Sequence, residues 1–366
     1  MLVLCAAALA LAAPQADGLY GASTAIAAPT VVELGGERFG AEPDELGPIG
    51  GGTGYRRSPA GGDHTARSLD ELIAALAAAA PGEVVFVPGD VAIDCTARIL
   101  IEELVLELPG GVTLASDRGR DGSPGALVAS DHLATRPLIR VTGPNARITG
   151  LRLRGPDPER RLEHHRRAFA AGRGRDYYYR FPVSDGIETR HDGLEVDNCE
   201  LAGFSHAAIY LKRGADHQVH HCFIHHNQYQ GLGYGVCHDV ATSTIHQNLF
   251  DWNRHSIAGT GRPGSGYDAH DNIERGTSLS HCFDMHGGRD RRDGTDVAGS
   301  WMRVTANTFL CTQTALKVRG EPEQSVTVAG NWFVHDSPAA AISGGSRTVA
   351  GANAYGRREP RVHAGR

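Results

Sequence analysis

Between residues 194 and 334 the apolar and polar positions recur at a nearly constant interval. The segments Val196-Asp197-Asn198-Cys199, Val219-His220-His221-Cys222, Ile245-His246-Gln247-Asn248, Ala269-His270-Asp271-Asn272, Val304-Thr305-Ala306-Asn307 and Val328-Ala329-Gly330-Asn331 align by eye. Their last residues stand at 199, 222, 248, 272, 307 and 331, so the intervals are 23, 26, 24, 35 and 24. A second column, Ile209, Tyr234, Gly259, Met285, Val318 and Ile342, has intervals of 25, 25, 26, 33 and 24. A period of about 20 to 50 residues carrying one short strand pattern marks a solenoid, whose units bury their apolar faces only against their neighbours. The expected fold is all-β, a right-handed parallel β-helix, with an insertion from Gly287 to Ser300 filling the longest interval.

Ser68-Leu69-Asp70-Glu71-Leu72-Ile73-Ala74-Ala75-Leu76 carries a serine cap and apolar residues at helical spacing, which predicts a helix over the open end of the stack. It runs into the strand pattern Gly82-Glu83-Val84-Val85-Phe86-Val87-Pro88-Gly89. Together these two stretches resemble the start of the pectate-lyase-like β-helix superfamily, chiefly its chondroitinase B and alginate lyase branch. The resemblance implies a polysaccharide lyase that uses a lysine and an arginine with calcium, and superfamily membership alone also admits hydrolases, epimerases and binders. The division expected is a signal over 1–27, a glycine- and proline-rich lead-in over 28–65, the β-helix over 66–345 and a polar tail over 346–366. The lead-in reads as extended or poorly ordered. A basic insertion between Gly155 and Phe181, with Arg173, Arg175 and Tyr177-Tyr178-Tyr179, reads as a loop on one side of the coils, either a wall for a ligand or tyrosines packed on the coil.

The 366 residues carry a formal net charge of −6 with acids and bases interleaved, which does not mark a nucleic-acid binder. The apolar run 2–13 and the pattern Ala25-Ile26-Ala27 read as a secretory signal, placing the protein outside the cytoplasm or in a periplasm; no later stretch is apolar enough to span a membrane. The seven cysteines do not form a disulfide framework, and Cys199 and Cys222 read as small buried hydrophobes stacked in one column. A monomer is expected.

Alternation places Ile209, Val236, Ile257, Phe283, Met285, Leu316 and Val318 inward. The opposite parity reads Glu188 and Arg190, Tyr210, Gly231, Gly233 and Gly235, Ser256 and Thr260, Asp284 and His286, then Lys317 and Arg319. With coils ~4.8 Å apart these form one outer surface, with the glycines as a bare floor for a sugar ring. β-Elimination on a uronic-acid polymer needs a neutralised carboxylate, a base and a proton for the leaving oxygen. Arg319, Arg190 or a cation suits the first role and Lys317 or His286 the second, with His286 or Tyr210 as relay; the resemblance favours Lys317 and Arg319, although both stand on one coil here. Hydrolysis needs two carboxyl groups roughly 5–9.5 Å apart, which Asp284 and a loop aspartate such as Asp290 could supply. Charge pairing of Asp284 with Lys317 on an ordinary polar face is the bland alternative, and a non-catalytic carbohydrate-binding β-helix is the third functional reading. Arg254, His255 and Arg262 join the expected substrate contacts. Asp284, His286 and Asp290 form a candidate metal set; calcium is the cofactor that the resemblance implies. His220, His246 and His270, and separately His206, His255 and His281, read as imidazole ladders that bond neighbouring backbone, the alternative being a zinc or copper site.

Overall fold

The computed structural model describes residues 29–357 and 361–363; the apolar run and the signal pattern lie outside the described residues. Among the described residues three sheets, of eleven, eleven and nine strands, run side by side along the molecule, each receiving one strand from successive coils in parallel; the last strand, Arg361–His363, instead joins its sheet antiparallel. This is a parallel β-helix. Its interior is one continuous apolar cluster running from Ala66 to Tyr355. Helix Leu69–Ala78, capped by the Ser68 hydroxyl, inserts Leu72, Ala75 and Leu76 into the end of that cluster.

The first column is a turn. At each passage from the first sheet to the second, one residue adopts a left-handed conformation: Asn198 (φ 52), His221 (51), Gln247 (57), Asp271 (51) and Ala306 (53). Non-glycine residues adopt this region at a cost. The following residue offsets it. Asn248, Asn272, Asn307 and Asn331 form a ladder in which each Nδ2 donates to the next Oδ1 at 2.9–3.0 Å. Asn353 is the last rung, so the helix extends beyond the boundary expected at 345, with strands Thr348–Ala350 and Asn353–Tyr355 joining the first and second sheets. Tyr355 extends the core there by stacking on Phe333 at 5.2 Å.

The second column needs correction. The register aligns Ile209 with Val236 and Ile257, and Phe283 with Leu316, so Tyr234 stands two residues out of that row. Gly259 belongs with His238, and Met285 with Val318. Two inward rows on one short strand look alike in a sequence, because both are apolar. Ser256, expected outside, is buried.

The lead-in is ordered. Strands Val31–Leu34 and Glu37–Gly40 form a hairpin, and the chain then lies as a strap across the asparagine turns. Ala41 N–H donates to Thr308 Oγ1 (2.8 Å), His221 Nε2 meets Asp44 (3.0 Å), and Tyr55 Oη donates to Asp197 (2.6 Å). Gly51 (φ 66) makes the approach feasible, since a Cβ there would overlap the His221 carbonyl. The basic insertion is likewise not a loop but two short helices, Leu162–Ala170 and Gly174–Tyr178.

Candidate functional site

Strand Phe283–Met285 buries Phe283 and Met285 in the core and turns Asp284 to the other face, where it is nonetheless fully covered. What covers it is a set of nitrogen donors. Arg319, just past strand Leu316–Val318 on the next coil, grips both oxygens, with Nε 2.9 Å from Oδ1 and Nη2 2.8 Å from Oδ2. His281 Nε2 lies 2.9 Å from Oδ1, and His286 Nε2 2.9 Å from Oδ2. His286 is two residues beyond Asp284 and so shares its face. Its Nε2 sits off the line of a good hydrogen bond in spite of that distance. His255, one coil earlier, stacks on His281 at 4.0 Å, and its Nδ1–H donates to the His281 carbonyl. That leaves His255 Nε2 as an acceptor facing Arg319 Nη2 at 3.5 Å. Tyr234, paired in register with His255, stacks parallel to it at 5.8 Å.

The Gly287–Ser300 insertion closes one side. Its short helix Gly288–Arg291 presents Asp290, whose carboxylate receives Arg319 Nη1 at 3.3 Å. Arg291 ties the insertion down, donating to the carbonyls of Thr260 and Val297, each at 2.9 Å. The helices of the 155–181 insertion supply the opposite wall, with His165, Phe169, Arg175 and Tyr179. Between the walls lies a groove of about 810 Å³, also lined by Leu232, Tyr234, Arg254, His286, Arg292 and Arg319. Its charged lining is mostly basic: four arginines against Asp176 and Asp290.

Burial opposes charge on Asp284, yet the imidazoles of His255 and His286 and the His281 hydrogen bond hold its carboxyl well below the usual carboxylate range. The two-pronged Arg319 contact acts in the same sense. His255 and His281 move the other way: burial drives both imidazoles towards the neutral form, and the nearby arginines reinforce it. The floor of the groove is therefore an ionised carboxylate gripped by one guanidinium, with the imidazoles of His255 and His281 driven towards neutrality beside it. An ionised carboxylate only accepts hydrogen bonds. His286 turns Nε2 towards it, and the ring itself forms part of the groove lining.

His255, His281 and Asp284 each offer a ligand atom within 4.8 Å of the others, as do Glu195, Asp197 and His220. Neither set fits calcium, which takes six to eight oxygens. In the first, Arg319 already stands where a cation would be, bonded to both Asp284 and Asp290; in the second, Arg147 holds Asp197 with Nε at 2.8 Å and Nη2 at 2.7 Å.

The residues singled out in the sequence separate into three places. Asp284, His286, Arg319, His255, Arg254 and Asp290 come together at the groove. Lys317 pairs in register with Asp284, but its side chain makes no ion pair among the described residues and is not part of the groove lining; the partner of Asp284 is Arg319. Glu188 and Tyr210 lie on earlier coils, where Lys212 donates to Glu188 (2.6 Å) and rests over the Tyr210 ring, and Arg190 is exposed beyond that strand. Thr260 and Arg262 are bound to Asp239 at 2.9 and 3.1 Å. The glycine floor is not bare: Gly231 and Gly233 precede strand Tyr234–His238, and the Tyr179 hydroxyl covers Gly231. His220, His246 and His270 do stack, with rings 4.8 and 5.0 Å apart, but His220 bonds Glu195 and His270 bonds Asp271 through side chains rather than neighbouring backbone. The other ladder holds only for His255 and His281, because His206 turns to Asp185. Tyr179, Arg175 and Arg292 were not singled out as site residues; the basic, tyrosine-rich insertion that brings two of them was the signal available.

No protein-family model and no curated protein matches the chain. Among solved structures it is similar to an alginate lyase from Paenibacillus sp. str. FPU-7, at 14% identity and TM-score 0.45 over 73% of this chain and 94% of that one. It is also similar to the catalytic unit of a thermostable GH87 α-1,3-glucanase from Streptomyces thermodiastaticus strain HF3-3, at 15% identity and TM-score 0.38 over 75% of this chain and 53% of that one. Likenesses this distant say nothing about the chemistry of the groove.

Proposed function

We propose that this protein is a lyase that cleaves an acidic polysaccharide by β-elimination in the groove between the two insertions, acting outside the cytoplasm. The observation that carries the reading is the Asp284–His286 pair opening into a groove walled by arginines. Arg254 and Arg292 are placed to receive the uronate carboxylate, which lowers the cost of removing the proton beside it. His286 Nδ1 takes that proton, with Asp284 steadying the ring and the positive charge it gains. The C–H electrons form the new ring double bond and the adjacent C–O bond breaks. The Tyr179 hydroxyl, on the facing wall, supplies the proton to the departing oxygen. Arg319 fixes Asp284 rather than the substrate.

This reading replaces Lys317 by His286 as the base. A hydrolase would need Asp284 free to act as nucleophile, base or acid, and it is buried and committed to Arg319 and His281. The test is digestion of alginate, pectate, glucuronan and glycosaminoglycans, following ultraviolet absorbance of unsaturated ends together with new reducing ends. Both signals rising together support the lyase, and reducing ends alone sink it in favour of hydrolysis. His286→Ala should lower kcat by at least about 10²-fold, in the range of a lost general base, while Lys317→Met stays within about twofold, as expected of a residue off the reacting geometry. The reverse pattern would return the base to Lys317.

A further inference from the structure

The helical insertion has a second concave side. The residues of the insertion divide between its two sides: His165, Phe169, Arg175 and Tyr179 look into the groove, whereas Arg167, Arg173, Tyr177 and Tyr178 line a separate cavity of about 650 Å³. The two cavities share no lining residue. The floor of the second is aromatic. Tyr178 packs on Tyr229 at 4.9 Å, and Phe181 stacks with Tyr229 at 6.2 Å. Tyr177 at the rim is 54% exposed, one of four large apolar residues this insertion leaves in solvent, with Leu162, Phe169 and Tyr179.

The rim is basic beyond what its neighbours neutralise. Arg161 pairs with Asp157 and Glu159, and Arg167 with Glu163. Arg173 and Arg180 have no acidic partner among the described residues, and Arg173 lies over the Tyr177 ring at 4.2 Å. Flat rings beside unneutralised guanidinium groups suit a ligand with an apolar C–H face and a carboxylate on its edge. An acidic pyranose has both.

We propose that this cavity is a second, non-catalytic binding site for a uronic-acid unit of the polymer cleaved in the groove, an inference that rests on the reading above for the identity of that polymer. Two sites on opposite sides of one insertion hold separate stretches of the same chain, so its local concentration at the groove rises without any new contact to the reacting sugar.

The test uses the full chain in native gels containing alginate, polygalacturonate or glucuronan, with neutral dextran as control, and compares wild type, His286→Ala, Arg173→Ala/Tyr177→Ala and Tyr177→Phe. The altered residues at the rim are exposed and unbonded to the core, so the fold is retained. Wild type, His286→Ala and Tyr177→Phe should be retarded by at least one polyuronate and not by dextran, and the double variant should bind it about fivefold more weakly or worse, as loss of one of two linked sites implies. In turnover, the double variant should raise KM for polymer by a similar factor, with kcat unchanged and activity on a uronic-acid trisaccharide intact. Equal retardation of double variant and wild type overturns the proposal, as does retardation by dextran of the same strength. Retardation lost in the double variant with no unsaturated product from any polymer would keep the site and reject the lyase.

Discussion

At the scale of single residues, Asp284 and Glu274 show how the same β-helix treats two buried carboxyl groups in opposite ways. Asp284 lies on the outer face and is held ionised by Arg319 and the imidazoles. Asp284→Asn keeps the shape but removes the charge that orients His286 and balances Arg319. We expect kcat to fall about 10²-fold or more, with KM changed far less, as for loss of a group that acts mainly in the transition state. Glu274 instead occupies the inward row between Phe250 and Phe309, and neither of its carboxyl oxygens makes a well-formed hydrogen bond. Burial, only partly countered by the nearby Ser256 hydroxyl, pushes it up to about 8 from an ordinary 4.5. The folded protein therefore holds a proton that the unfolded chain releases between those values. Stability is greatest below the unfolded value and declines as pH rises towards 8, by an amount on the order of a few kcal/mol. Glu274→Gln should flatten this part of the Tm–pH profile and raise Tm at pH 9. An unchanged slope would show that the carboxyl is solvated.

At the scale of elements, the asparagine ladder converts strained turns into a repeating structure. Asn272 Nδ2 donates to Asn307 Oδ1 (2.9 Å) and to the Ile245 carbonyl (2.8 Å), while its own Oδ1 receives the Asn248 backbone N–H and side-chain amide at 3.0 Å each. Asn272→Ala strands two buried donors on the preceding coil and one carbonyl. Each orphaned group costs about 1–3 kcal/mol, so a loss of roughly 3 kcal/mol or more is expected by denaturant titration, against under about 1 for a solvent-facing change such as Thr327→Ala. The strap offers a parallel test. Gly51→Val places a branched side chain at positive φ against the His221 carbonyl and the Asn198 amide. It should release the strap and make the chain near residue 51 susceptible to limited proteolysis, while the coils beneath remain folded.

At the scale of the whole molecule, charge is segregated more than a net −6 suggests. Four arginines face the groove, and the far side of the same insertion adds Arg173 and Arg180. Binding of a polyanion should accordingly weaken steeply with salt. A rise from 50 to 500 mM should lower polymer affinity about tenfold or more, because exposed charges are screened over roughly 10 Å at 0.1 M. An affinity insensitive to salt would mean that the sugar is held by neutral hydrogen bonds. The insertions make these cavities; without them the outer sheet face would be a shallow, open surface.

The repeat interval alone determined the solenoid and its parallel sheets, because coils interact only with their neighbours and a local period suffices to set that order; that the first column marks left-handed turns, only the structure showed. It also placed Asp284, His286 and Arg319 on one outer face, since strand alternation is a property of the backbone. What it left undetermined is whatever depends on contacts between segments distant in sequence. Lys317 and Arg319 share a face and a charge, and only the side-chain geometry across two coils gives Asp284 to Arg319. The glycine stretch is covered by Tyr179 from an insertion some fifty residues away, and glycines 50 to 54 read as slack chain until the turns they rest on are in place. The carboxyl of Glu274 carries no sign of its environment in its own neighbours along the chain; it takes its protonation from the phenylalanines above and below it.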